Sequence, residues 1–212
     1  VFGQSVHEVR MRLGQRLAQE FPAQADLVTP IPDSGMSAAL GYSLASGIPL
    51  DYGFIRNHYV GRTFIMPTQG ERSDSVDMKL AVVPGVVRGK RVVVVDDSLI
   101  RGTTSRRRIM ALREAGASEV HLRISCPPTR HPCHFGIDFP SRDELIAASR
   151  DVEEIRKFIG ADSLGYVSLN GLLSCMDNPG DFCTGCFSGK YPVSITDAHQ
   201  KNELEVTTSN PV

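Results

Sequence analysis

The sequence predicts an α/β domain, a central and mostly parallel sheet flanked by helices, with a cysteine-containing appendage toward its carboxyl end. Three observations predict it. Residues 92–95 are four consecutive valines, as in a central strand covered on both faces. Short apolar runs alternate with stretches of helical periodicity that stop at glycines, the β-α-β order of a parallel sheet. The valine run ends in two adjacent carboxylates, Asp96 and Asp97, and parallel sheets hold their ligands beyond the carboxyl ends of their strands.

Ser5-Val6-His7-Glu8 has the S-x-x-E form of a capping box, and Val6, Val9, Leu13 and Leu17 recur at helical spacing. A first helix should run to about Glu20. Residues 26–31 read as a short buried strand in which Pro30 and Pro32 remove ladder hydrogen bonds near its end. The loop Pro32-Asp33-Ser34-Gly35 follows. A second helix over 36–45 stops near Gly47, the expected place for a left-handed terminus. Residues 49–55 are a strand candidate, and the polar segment 56–79 is a long loop of the kind that carries function. A strand over 91–95, a helix over 104–115 closed by Gly116, and a strand over 120–125 complete the core. After Pro127-Pro128 come a second capping box at Ser141-Arg142-Asp143-Glu144, a helix over 152–159 ending at Gly160, and another over 169–173. The division is a core at 1–128, a helical and cysteine-containing extension at 129–192, and a loosely held polar tail at 193–212. No internal repeat is present.

A chain of 212 residues suits one sizeable domain with an appendage. The formal charge of -1 leaves no broad basic field, which argues against a nucleic-acid partner while leaving small anions open. No apolar run reaches membrane-spanning length, so no membrane partner is expected. The first residues lack both Met and the pattern of a secretory signal, and the chain looks cut from something longer. All five cysteines lie between Cys126 and Cys186, an odd and local set that suits a reducing cytoplasm and a metal or cluster site better than a disulfide framework.

The chemistry concentrates in VVVVDDSLIRGTTS, residues 92–105. Carboxylates at a strand end can accept hydrogen bonds from sugar hydroxyls or hold a divalent cation. Gly102-Thr103-Thr104-Ser105 then opens a helix, where unpaired backbone N–H groups and the helix dipole favour an anion. A sugar phosphate would bridge the two. An acidic pair after a parallel strand also occurs in phosphoacceptor and metal-binding domains, and Thr-Thr-Ser can simply cap a helix.

The order of apolar run, acidic pair, short spacer and Gly-Thr-Thr-Ser resembles the phosphoribosyl pyrophosphate (PRPP) signature of the type I phosphoribosyltransferases. Together with IPDSGMSAALGYSLASGIP, YVGRTFIMPTQ, MKLAVVPGVVRGKR and HPCHFGID, it resembles the glutamine PRPP amidotransferases over nearly the whole chain to about Tyr191. The resemblance implies the type I phosphoribosyltransferase fold and PRPP contacts from Asp33, Ser34, Gly35, Asp96, Asp97, Ser98, Arg101, Gly102, Thr103, Thr104 and Ser105. It implies Mg2+ on Ser34, Asp96 and Asp97, with Asp96 and Asp97 in the catalytic set. The loop at 56–79 would be a hood over PRPP, and Arg56 stands where the family usually has Lys. Arg62 and Lys79 are candidate catalytic clamps on the leaving group, although a lone surface cation is as readily solvated. The run Arg106-Arg107-Arg108 reads mainly as solvated helix surface.

The implied reaction is the opening step of purine synthesis. An amine joins the anomeric carbon of ribose 5-phosphate as pyrophosphate leaves. One branch of the family carries a 4Fe-4S cluster, and Cys133, Cys183 and Cys186 match three of its four ligands. The fourth matches no residue in the chain. From the residues alone, Cys183-x-x-Cys186 is a moderate metal signal that His131 or His134 could instead complete as a zinc site. Cys126 and Cys175 read as small buried hydrophobes. The resemblance also implies purine nucleotide inhibitors, a homo-oligomer in the full-length enzyme, and ammonia delivered by a glutaminase domain. No cysteine precedes Cys126 to serve as that domain's nucleophile, so this is expected to be the synthase half. The alternatives are another type I phosphoribosyltransferase, which would need a base-reading pocket, and a PRPP-sensing regulator, which would need a DNA-binding appendage. No segment announces either.

Overall fold

The computed structural model describes residues 3–57, 80–137 and 141–194. Helix α1 (Val6–Glu20) starts as the sequence predicts, the Ser5 hydroxyl accepting from the Glu8 amide. Strand β1 (Leu27–Pro30) is buried throughout, and α2 (Met36–Ser46) ends at Gly47 with φ +72°. The strand candidate at 49–55 is corrected. Leu50 makes only an isolated bridge to Val28, and the regular strand is β2 (Phe54–Arg56), paired antiparallel with β3 (Leu80–Val82) outside the main sheet. Gly53 causes the break: its amide turns to the Thr29 hydroxyl (2.8 Å) rather than to a strand ladder.

The short helix α3 (Pro84–Val87) leads to β4 (Arg91–Asp96), α4 (Thr103–Glu114) and β5 (Glu119–Ile124). Then come α5 (Ile146–Ser149), α6 (Val152–Ile159), β6 (Ser163–Tyr166), α7 (Leu169–Ser174) and α8 (Gly185–Ser188). Strand β6 was not anticipated. It lies beyond residue 128, yet pairs parallel with β5 and completes a four-stranded sheet ordered β1-β4-β5-β6. The capping box expected at Ser141 is also corrected. Ser141 makes no side-chain cap over the 3-10 turn Arg142–Glu144, and the working box is Asp151 with Glu154 at the start of α6.

The valine run explains how the layers are held. Val93 and Val95 bury against α1 and α2 with Leu17, Ala38 and Tyr42, while Val92 and Val94 bury on the other face with Ile109, Leu112 and Ile155 of α4 and α6. Each buried valine contributes roughly 1.5–3 kcal/mol on transfer terms, so β4 is anchored from both sides. The chain leaves β1 into α2 on one face and leaves β4 into α4 on the other. Those two loops therefore diverge at the carboxyl ends of adjacent strands and open a crevice between them, the switch point of an open α/β sheet.

Candidate functional site

The parallel register pairs Pro30 with Val95, and the Ile31 amide donates to the Val95 carbonyl at 2.9 Å. This sets the 32–35 loop beside Asp96. Ser34, Asp96, Asp97, Ser98, Arg101, Gly102, Thr103, Thr104 and Ser105 line one cavity of about 460 Å³, together with Arg108. These nine predicted residues are thereby gathered at one place. Gly35 is buried behind that cavity, where a Cβ would collide with the Val95 carbonyl, so its role is close packing of the loop on β4. Asp33 is exposed and pairs with Arg56 of β2. Arg62 and Lys79 lie outside the described residues, as do most of the 56–79 loop and residues 195–212 of the tail.

The Asp96 carboxylate is buried at the strand end. Its residue is 5 % exposed, with one oxygen accepting from the Asp97 amide at 2.9 Å and the other from Arg108 Nη1 at 2.9 Å. Burial pushes its pKa up to about 7; the Arg108 guanidinium opposes the rise and the nearby Asp97 charge adds to it. Arg108 is thus no solvated surface cation. At position 108 the helix turns inward, whereas Arg106 and Arg107 are exposed. The signal that could have found it is its spacing of three from the buried Ser105 on the same helix.

The 101–105 loop is supported from behind by residues the sequence did not connect to it. Gly102 adopts φ +76°, and a Cβ there would lie 2.8 Å from Ile146 Cδ1 and 3.2 Å from Phe158 Cε1. A side chain at position 102 would therefore be obstructed by the protein itself. The Ile146 amide donates to the Ile100 carbonyl at 2.9 Å, and Arg101 donates through Nε to Glu144 at 3.1 Å. The amides of Thr103, Thr104 and Ser105 have no earlier helical turn to bond to, which suits the start of α4 to an anion.

A second cavity of about 720 Å³ adjoins the first. Phe54, Leu80, Val82 and Met110 supply apolar walls, and Arg56, Arg107 and Arg108 supply guanidinium groups.

The appendage brings Cys133 and the Cys183–Cys186 pair into one neighbourhood. Burial pushes the Cys186 thiol up, and Cys133 and Cys183 act on it as nearby like charges. The sulfurs of Cys133 and Cys183 accept from the Phe135 and Gly185 amides at 3.4 Å, and all five thiols are free. Among the described residues, no three His, Cys, Asp or Glu side chains form a group able to hold a metal ion. The protein's own hydrogen bonds already join the segments: the Arg130 and His131 amides donate to the Cys186 carbonyl, and the Tyr191 hydroxyl to the Pro132 carbonyl at 2.7 Å. Cys175 is buried as expected, and Cys126 is half-buried.

The chain is 51% identical over 207 residues to an amidophosphoribosyltransferase of Synechococcus elongatus, covering 97% of this chain and 42% of the relative. It is 56% identical to that of Bacillus subtilis, over 91% of this chain and 42% of the relative. The chain belongs to the amidophosphoribosyltransferase family. It spans about two fifths of the length of these family members. The solved structure of the B. subtilis glutamine PRPP amidotransferase complexed with ADP and GMP superimposes with a TM-score of 0.83 at 56% identity, covering 92% of this chain and 44% of that one. The fold is accordingly that of the family's phosphoribosyltransferase portion, the type I phosphoribosyltransferase fold. The chain matches no protein-family model. No helix among the described residues is long and apolar enough to cross a membrane.

Proposed function

We propose that this chain carries the PRPP site of an amidophosphoribosyltransferase and transfers an amine to C1 of ribose 5-phosphate with release of pyrophosphate, the first step of purine biosynthesis. One observation carries the reading: the acidic pair, Ser34 and the loop 101–105 line a single cavity at the junction of β1 and β4. That juxtaposition matches the two ends of a sugar phosphate. The family names of its relatives support it.

In this reading the amides of residues 103–105 and the Thr103 and Thr104 hydroxyls hold the 5'-phosphate, and Asp97 accepts from ribose hydroxyls. The 32–35 loop holds the pyrophosphate. The donor set of Ser34, Asp96 and Asp97 fits Mg2+, because a buried carboxyl raised to about 7 beside a second carboxylate is a pair that a hard cation would stabilise. Bound there, Mg2+ would neutralise the charge that builds on departing pyrophosphate. The protein contributes fixed donors and a cavity walled by packed strands, so the oxocarbenium-like sugar forms without reorganising its surroundings. The full nitrogen supply, with ammonia from glutamine in a longer enzyme, a homo-oligomer and a cytoplasmic setting belong to the same proposal. The second cavity, apolar with an arginine rim, suits a purine nucleotide inhibitor, in line with the ADP and GMP held by the B. subtilis enzyme.

The purified chain, given PRPP, Mg2+ and ammonium, should release pyrophosphate and form 5-phosphoribosylamine. Binding of PRPP without turnover would favour a sensor. Turnover only with an added nucleobase would favour another phosphoribosyltransferase.

Cys133, Cys183 and Cys186 are proposed as three thiolates of a structural 4Fe-4S cluster. What supports the reading is their shared neighbourhood, with two of the sulfurs each receiving a backbone N–H; as placed, the three side chains do not form a metal-holding group. Anaerobic reconstitution with iron and sulfide should give the visible absorption of a cluster that is labile to oxygen. A Cys186→Ser variant that reconstitutes equally well would refute the assignment.

A further inference from the structure

Arg108 stands where the proposed site needs a cation. The Asp96 side chain is 7 % exposed and presents two oxygens; Oδ1 is taken by the Asp97 amide, and Oδ2 by Arg108 Nη1 at 2.9 Å. Mg2+ binds carboxylate oxygens at about 2.0–2.1 Å and keeps a positive charge. A metal on Oδ2 would therefore sit within a few ångströms of a guanidinium inside a crevice that water screens poorly, and the two cations repel. They cannot both use Oδ2 at full strength.

The position of Arg108 offers the way out. It lines the first cavity and also the larger cavity beside it, whose lining residues include Glu114. Its side chain is 28 % exposed, so it is not locked by packing as Asp96 is. A rotation about its long stem exchanges one cavity for the other while α4 stays in place.

We propose that Arg108 is the resident counter-ion of Asp96, that it competes with the divalent cation for Oδ2, and that metal entry displaces it into the adjoining cavity. This inference rests on the PRPP-site reading above. In it Arg108 is a positioning residue: it neutralises Asp96 until metal arrives, and on release it adds its charge to the arginine rim of the adjoining cavity. The metal requirement is thereby set by an arginine that the acidic motif does not contain.

The test is direct metal binding, measured as loss of the free Mn2+ electron paramagnetic resonance signal on titration of the chain with manganese(II) alone. Arg108→Met should tighten Mn2+ binding by about tenfold relative to the unsubstituted chain, from removal of a like charge near the ion. Arg108→Gln keeps an amide donor toward Asp96 and should fall between; it also serves if the methionine variant does not fold, with thermal melts followed by circular dichroism as the check. Asp96→Asn should abolish the gain in either background. Equal or weaker Mn2+ binding in both Arg108 variants, with Asp96→Asn still weakening it, would overturn the competition and leave the site reading standing. No Mn2+ binding by any variant, with or without PRPP, would overturn the site reading and the competition together.

Discussion

Asp96→Asn is expected to abolish PRPP-dependent pyrophosphate release and, in the same molecule, to remove a loss of stability at neutral pH. The first effect follows from deleting half of the carboxylate pair at the crevice. The second follows from burial. The Asp96 carboxyl is raised from 3.8 to about 7 in the folded chain, so between those values the folded state holds a proton that the unfolded state has released. Folding stability from this group is therefore intact below about pH 4 and declines as pH rises to about 7, the opposite of a salt-bridged carboxylate whose pKa is depressed. The full span corresponds to on the order of 4 kcal/mol as an upper bound. Urea unfolding of the metal-free chain should show the variant gaining on the parent by about 2–3 kcal/mol between pH 5 and pH 8. A stability difference that does not change with pH would mean that Asp96 is ionised throughout, held by Arg108 more strongly than burial opposes it.

Gly102→Val should damage both stability and phosphate binding. A β-branched residue at φ +76° meets a backbone penalty of roughly 1–2 kcal/mol. Its Cβ also enters the space of Ile146 and Phe158, an overpacking cost of typically 1–3 kcal/mol. Relief comes from turning the Ile146 δ-methyl aside, from pushing α5 and α6 away or from moving the start of α4, and the last displaces the amides proposed to hold phosphate. Calorimetry with PRPP should show affinity at least about tenfold weaker, alongside a lower Tm. Adding Ile146→Ala should restore part of the Tm, since it removes the nearer atom without changing φ. Unchanged PRPP affinity and Tm in Gly102→Val would place the cradle elsewhere.

The elements that local rules can specify were legible. The helix ends at Ser5, Gly47, Gly116 and Gly160 are written in single residues whose preferences do not depend on distant partners. The convergence of the acidic pair and the 101–105 loop on one cavity was legible too, because a strand end followed by a helix start fixes their placement over a dozen contiguous residues. Strand β6 was not. Its four residues, Ser-Leu-Gly-Tyr, carry little β propensity and become a strand only because β5 offers an open edge. The Ser141 motif misled for a related reason: Glu144 turns to Arg101, forty-three residues away, instead of closing its own turn.

The sequence by itself determined a parallel α/β sheet, the strand edge at which the cavity lies and many of the residues that line it, since valine burial, glycine stops and the order of acidic pair and helix start are all local statements. Only the tertiary structure decided that Asp96 is buried rather than open to solvent, that Arg108 faces it from α4, and that Ile146 and Phe158 brace Gly102 from the far side. Those facts depend on which helix face meets which strand end. A carboxylate's pKa, an arginine's partner and a glycine's free space are set by neighbours distant in sequence, and no local pattern records them.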